Sequence, residues 1–198
     1  MPKIINAEEK IFEICALAYE RLVEEGIVEF SLNKFIEELN MSKGQFYYYF
    51  KSKEKLIFET LKIKDIEFVE IIKENIAKKS NFLEKLVEYF ALILNEEEKI
   101  FIDARKIMFE SIHLYLHPKY KDEMKSCENT YINMYEIIEK IFDEEIEKGF
   151  LKEDSKKAIK VILATIDGMY YHSLIIDDYN LKETIMDYLI ETTNQLKR

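Results

Sequence analysis

The sequence predicts an all-α protein, and three observations predict it. Only 4 glycines and 2 prolines occur in 198 residues, against averages of about 7% and 5%, so the chain lacks the turn residues that sheets need. Apolar residues make up 48% of the chain, enough for a packed core. They recur at mixed three- and four-residue steps, the period of an amphipathic helix.

The elements follow in order. Residues 8–25 place Ile11, Phe12, Ile14, Cys15, Ala18, Leu22 and Val23 on one helical face, and Gly26 is the natural stop. Ser31 is placed to cap a short second helix carrying Leu32, Phe35, Ile36 and Leu39. Asn40, which tolerates left-handed dihedrals, interrupts it. Ser42 opens a third helix, and Gln45 three residues on completes a Ser-x-x-Gln capping box. Phe46 and Phe50, one turn apart, face inward, and Lys51-Ser52 ends the segment. Ser52 then caps a long fourth helix from Lys53. Further helical segments are expected near 81–96, 99–116 and 120–148, with Pro118 breaking the chain after His117. Asp154 or Ser155 caps a helix to about 176, and a last one runs from about Leu181 to Leu196. This divides the chain into a helix-turn-helix domain, 1–52, and a larger helical domain, 53–198.

Charge points to the partner of the smaller domain. The net charge is −10, which by itself opposes nucleic acid. Residues 40–64, however, carry six lysines against Glu54 and Glu59, a local charge of +4, whereas 65–198 carry 19 basic and 28 acidic side chains. An acidic body with one basic segment suits contact with phosphate at one place only.

Two short helices around a tight turn form a helix-turn-helix. Around the third helix, Lys43, Gly44, Gln45, Tyr47, Tyr48 and Tyr49 are short, polar or hydroxylated. Glutamine can bond an adenine edge in two places, lysine can donate to guanine, and glycine admits close backbone approach. Tyrosine hydroxyls reach phosphates, and Lys53 adds charge at a helix N-terminus. The alternative is that the three tyrosines are half-buried aromatics. Successive helical positions turn by about 100°, so at least one must be exposed.

From about residue 8 to 64 the chain resembles the TetR family of bacterial regulators. The matching residues are Gly26, Ser31, Ser42, Gly44, Tyr47, Phe50, Ser52, Lys53, Glu54 and Leu56. Ile36, Asn40, Leu22 and Phe30 stand where the family usually has Ala, Gly, Phe and Thr. The run from Lys148 to Asp154 is similar to the Gly-x-Leu-x-x-Asp connection before the family's dimerising helices. The resemblance implies that Ser42, Lys43, Gly44, Gln45, Tyr47, Tyr48 and Tyr49 line the DNA side, that Lys53 pairs with a phosphate, and that Ser31 takes the phosphate role in place of Phe30. It further implies a homodimer through the last two helices, a palindromic double-stranded operator, and repression relieved by a small-molecule effector.

The effector pocket expected in the middle region takes Arg105, Met108, Phe109, Ile112 and His113, with Tyr89, Tyr131, Met134 and Tyr170 opposite; ordinary core is the plainer account of each. Abundant Phe, Tyr and Met suggest a hydrophobic or aromatic effector. Gly168, inside an apolar helix, is there either for a close contact within the monomer or for a dimer contact. Glu110, His113 and His117 share a helix face with the spacing of a divalent-metal site, although polar histidines at a helix end account for them as well. No metal or cofactor is assigned. His172 reads as a core or interface histidine.

Cys15 and Cys127, without CxxC spacing, read as reduced, buried thiols of a cytoplasmic protein. Lys3 is soon followed by Asn6, Glu8 and Glu9, and no run of about 18 apolar residues occurs, so neither a signal peptide nor a membrane span is expected. No phosphate-cradling loop, His-Glu-x-x-His or Gly-x-Ser-x-Gly elbow is present, which disfavours an enzyme. The remaining alternative is a helical adaptor that kept the fold without DNA binding.

Overall fold

The structure, a computed structural model, describes residues 6–198, apart from the side chains of Tyr115 and of residues 122–129. The expectations resting on Lys3 and on Cys127 therefore lie outside the described residues. The helices are α1 (Ala7–Glu25), α2 (Leu32–Glu38), α3 (Lys43–Tyr49), α4 (Lys53–Ala77), α5 (Phe82–Tyr89), α6 (Ala91–Leu94), α7 (Lys99–Leu116), α8 (Lys121–Glu147), α9 (Ile159–Ser173) and α10 (Leu181–Leu196). Short 3-10 turns at Pro118–Tyr120 and Ser155–Ala158 precede α8 and α9. The all-α class holds: among the described residues the β pairing seen is one isolated bridge, Leu151 to Lys197.

The chain forms two compact units. The first gathers the chain up to Phe68 with Asp103–Thr130, and the second Val69–Ile102 with Tyr131–Arg198. In the first, α1, α2 and α3 enclose a core of Ile14, Leu22, Phe35, Phe46, Phe50 and Ile57, which Ile107 and Leu114 of α7 complete. Cys15 is buried there, and that burial pushes its thiol up to about 11, so it is inert at neutral pH. In the second, Phe82, Leu86, Phe142, Ile162, Ile185 and Leu189 form the centre, with the rings of Phe82 and Phe142 meeting edge-on at 5.0 Å. The 149–154 connection pairs with the C-terminus: the Lys152 N–H donates to Leu196 O (3.1 Å), and the Arg198 N–H to Phe150 O (3.0 Å).

Several local expectations need correction. The Ser31 hydroxyl stands at the start of α2 but makes no capping bond. Asp154 likewise makes none, and Ser155 instead donates to the Lys152 carbonyl within the turn before α9. The segment expected as one helix over 81–96 divides at Phe90, where ψ rises to 17°. Tyr89, Phe90, Ala91 and Leu94 are all buried on both sides of this break, so packing rather than a breaker residue causes it.

The end of α1 is the most constrained backbone in the first unit. Gly26 has φ +85° and ψ 154°, a region essentially closed to residues with a Cβ. A Cβ there would sit 2.8 Å from Glu110 Oε2. That carboxylate accepts from the Ile27 N–H at 2.6 Å, while Lys106 Nζ, one turn earlier on α7, donates to Val23 O at 2.6 Å. The two residues form a clamp on the C-terminal turn of α1, with a cation at the negative end of the helix dipole. Gly149 also has positive φ (+73°), but nothing lies within 4 Å of its Cβ position. Gly26→Ala is therefore expected to lower stability by about 2 kcal/mol or more, and by more than Gly149→Ala. Urea midpoints of the two variants check this.

Candidate functional site

α3 forms because its first turn satisfies itself. The Ser42 hydroxyl accepts from the Gln45 N–H (3.2 Å) and Gln45 Oε1 accepts from the Ser42 N–H (2.8 Å), closing the anticipated capping box. Phe46 is fully buried and Phe50 is 3% exposed, with ring centroids 5.5 Å apart. Asn40 at φ +52° makes the turn from α2. With the two phenylalanines fixed inward, the opposite face of α3 has one orientation.

Ser42, Lys43, Gly44, Gln45 and Tyr47 are exposed on that face, and Tyr48 is 71% exposed. Tyr49 separates from them: it is half-buried against the first core, its ring edge-on to Tyr48 at 5.1 Å. Gln45 Oε1 is held by the capping box, and bidentate reading of adenine would need that same oxygen. Ser31 is half-buried beside α2. Phe30, in place of the family's usual threonine, is 3% exposed and packs on Phe35 at 5.3 Å. It belongs to the core.

Lys53 points back into the protein. Its ammonium donates to Phe30 O at 2.6 Å and Val28 O at 3.4 Å and lies 5.5 Å from the Phe30 ring centroid. An ammonium has three donors, so one is left for an incoming phosphate. Beside it, burial pushes the Glu54 carboxyl up, but bonds from its own backbone N–H, Ser52 and Tyr120 and the charge of Lys119 outweigh it, and the net shift is down.

The effector candidates do not converge within one unit. Arg105, Met108 and Phe109 are half-buried and Ile112 and His113 exposed, all in the first unit. Tyr89 is buried, Met134 and Tyr170 half-buried and Tyr131 exposed, all in the second. His113 borders a cleft of about 300 Å³ in the first unit together with His117, Glu54 and Tyr120. The metal spacing is not realised: Glu110 turns to the Ile27 N–H, His113 Nδ1 meets Glu110 O at 2.5 Å, and His117 Nδ1 accepts from the Lys119 N–H. Among the described residues no three His, Cys, Asp or Glu side chains form a metal-binding group.

Two groups of residues escaped the sequence. The Lys106–Glu110 clamp is one; an i, i+4 Lys/Glu pair is too common on helices to signal anything. Buried acidic groups are the other. Burial pushes Asp65 up to about 6 against a hydrogen bond with Thr130, and burial with Asp103, Asp65 and Glu67 pushes Tyr19 up to about 12. In the second unit, burial followed by Asp167 and Tyr135 raises Tyr89.

Comparison with known proteins bears on the recognition segment. Residues 14–60, which span α2, α3 and the capped start of α4, match the model for bacterial regulatory proteins of the tetR family. Residues 14–60 thus form a segment similar to the tetR-family regulatory domain. The chain is 27% identical over 164 residues to the fatty acid metabolism regulator protein of Bacillus subtilis, covering 80% of each chain. Its fold matches that of a transcriptional regulator from Saccharomonospora viridis in complex with choline, with TM-score 0.74 and 17% identity over 96% of this chain and 99% of that one. It also matches the transcriptional regulator FadR from B. subtilis in complex with stearoyl-CoA, with TM-score 0.63 and 22% identity over 91% and 98%. The domain match and the curated relative thus identify the chain as a DNA-binding transcriptional regulator.

Gly44 offers the cleanest test of the interface. Its φ is not positive, and a Cβ there would meet nothing nearer than Ser42 Oγ at 4.0 Å. Nothing in the protein requires glycine at this position. Gly44→Ala is expected to keep or raise stability, by up to about 1 kcal/mol, while weakening operator binding in fluorescence anisotropy. Unchanged affinity would remove Gly44 from the interface.

Proposed function

We propose that this protein is a TetR-family regulator, a cytoplasmic repressor that grips a palindromic operator as a homodimer and is released by a small hydrophobic effector. Residues 1–52 bind DNA and 53–198 bind the effector and the second protomer. The observation that carries the DNA assignment is the exposed face of α3, where Lys43 and Gly44 lie beside Tyr47 (42% exposed) and Tyr48 (71% exposed), whose rings touch Phe46 and Tyr49 on one edge and leave the hydroxylated side open. Lys43 and Tyr47 contact bases or phosphates, Ser31, Ser42 and Lys53 the phosphates, and Gln45 uses its amide N–H₂ while its oxygen stays in the capping box.

The dimer reading rests on α9 and α10. Val161 (61%), Tyr171 (62%) and Ile175 (62%) are exposed on and just beyond α9, and Ile190 is exposed on α10. Gly168 lies on the same stretch, and a Cβ there would meet nothing within 4 Å. A close contact within the protomer therefore does not explain this glycine, which supports the dimer contact. Two recognition helices related by a dyad reach major grooves about 34 Å apart.

The apolar second core and a relative whose name concerns fatty acid metabolism support an acyl chain as the effector class. Release requires the effector to favour a state with lower operator affinity. α4, α7 and α8 contribute residues to both units, and on α7 the clamp of Lys106 and Glu110 holds the end of α1. We assign signal transmission to these helices. The reading includes no catalytic step.

The experiment that tests it is selection of random DNA by the purified protein at two salt concentrations. Enrichment of a palindrome whose affinity falls steeply with salt is the expected result; no enrichment at either salt favours the adaptor. For the dimer, Gly168→Ala should raise helix stability by up to about 1 kcal/mol and weaken self-association in sedimentation. A dimer of unchanged strength would exclude Gly168 from the interface.

A further inference from the structure

In the first turn of α3 the outward side chains offer hydrogen-bond donors. The Ser42 N–H donates to Gln45 Oε1 at 2.8 Å, and the Gln45 N–H donates to Ser42 Oγ at 3.2 Å. Only an oxygen can face the Ser42 N–H; the flipped amide would set two donors against each other. Gln45 is exposed, so the end of the amide left free is its N–H₂. Lys43 is exposed too and has no hydrogen-bonded or ionic partner among the described residues; an ammonium donates and never accepts. Gly44 between them adds no side chain, and no acidic residue occurs from Asn40 to Lys53. Lys51 is engaged elsewhere, on the Tyr47 carbonyl at 3.0 Å.

Residues at the start of a recognition helix are those that meet base edges. In the major groove guanine presents two neighbouring acceptors, O6 and N7, whereas adenine presents N7 beside the donor N6–H₂. Cytosine presents a donor, and thymine one acceptor with a methyl group beside it. The usual bidentate bond of glutamine to adenine needs the amide oxygen on N6–H₂. Here, turning that oxygen to the base breaks its bond to the Ser42 N–H. One neutral hydrogen bond is then exchanged for another, and a donor is stranded beneath the DNA. A stranded, desolvated donor costs more than a neutral bond contributes, so the adenine arrangement loses. Two amide N–H groups meeting two acceptors break nothing.

We propose that Gln45 reads guanine: with the capping box intact, its N–H₂ donates to O6 and N7 of one guanine in each half of the operator. The inference rests on the reading of α3 as the DNA-contacting helix and names the base selected there. It reverses the adenine preference that the residue type alone implies, because the box decides which end of the amide is offered.

The test compares wild type, Gln45→Glu and Gln45→Ala in selection from random DNA. Glutamate keeps the oxygen that accepts from the Ser42 N–H, and so the box, but has no donor. Alanine lacks the donor without adding a charge that repels phosphate. Wild type is expected to require a G·C pair at one position in each half of a palindrome, by about five-fold or more over A·T. Both variants should lose that requirement and keep the others. In a second arm, 7-deazaguanine, which lacks the N7 acceptor, replaces the guanine at that position; it should weaken binding of wild type and leave the variants unaffected. A pair other than G·C at the Gln45-dependent position would overturn the assignment and leave DNA binding standing. So would base requirements identical in all three proteins, or wild-type binding indifferent to 7-deazaguanine there. If wild type enriches no sequence, the DNA reading of α3 falls and this assignment with it.

Discussion

Burial of Phe46 and Phe50 in the first core is the constraint on which the exposed face of α3 depends. A helix of seven residues has little stability of its own. α3 exists because its first turn is closed by Ser42 and Gln45 and its body is anchored by these two rings. Once they point inward, Lys43, Gly44, Tyr47 and Tyr48 point outward and Tyr49 falls between. The chemistry of that surface thus follows from packing on the opposite side.

The clamp on α1 adds a second constraint of a different kind. A hydrogen bond to a charged group contributes about 1.5–3 kcal/mol, more than an exposed ion pair, and the Glu110–Ile27 bond is short and partly buried. It works only because Gly26 lacks a Cβ and adopts a backbone conformation other residues avoid. The same glycine that ends α1 therefore admits α7 to its end. Helix termination and the hold of α7 on the end of α1 are one feature.

Local signals made the first unit legible. The capping box, Asn40 at positive φ, the stop at Gly26 and the Ser52 cap on α4 each depend on residues within a few positions of one another, and α7 and α10 have the bounds their periodicity implies. Features set by tertiary contact were not legible. Nothing near Phe90 announces the break between α5 and α6. The direction of Lys53 depends on carbonyls more than twenty residues away. Ser31 has the residue type of a cap without the bond, and Glu110, His113 and His117 have metal-site spacing but local partners. The effector candidates of α7, α5, α8 and α9 rest on composition, and composition does not say which residues meet across a bundle.

The central claim is that the exposed face of α3 touches operator bases. Photo-crosslinking from a benzoylphenylalanine at position 48 tests it most directly, with the same group at the exposed position 131 as control. The account predicts crosslinks from position 48 to bases within each half of the operator, and none from position 131. Equal labelling from both, or labelling from 131 alone, would contradict it.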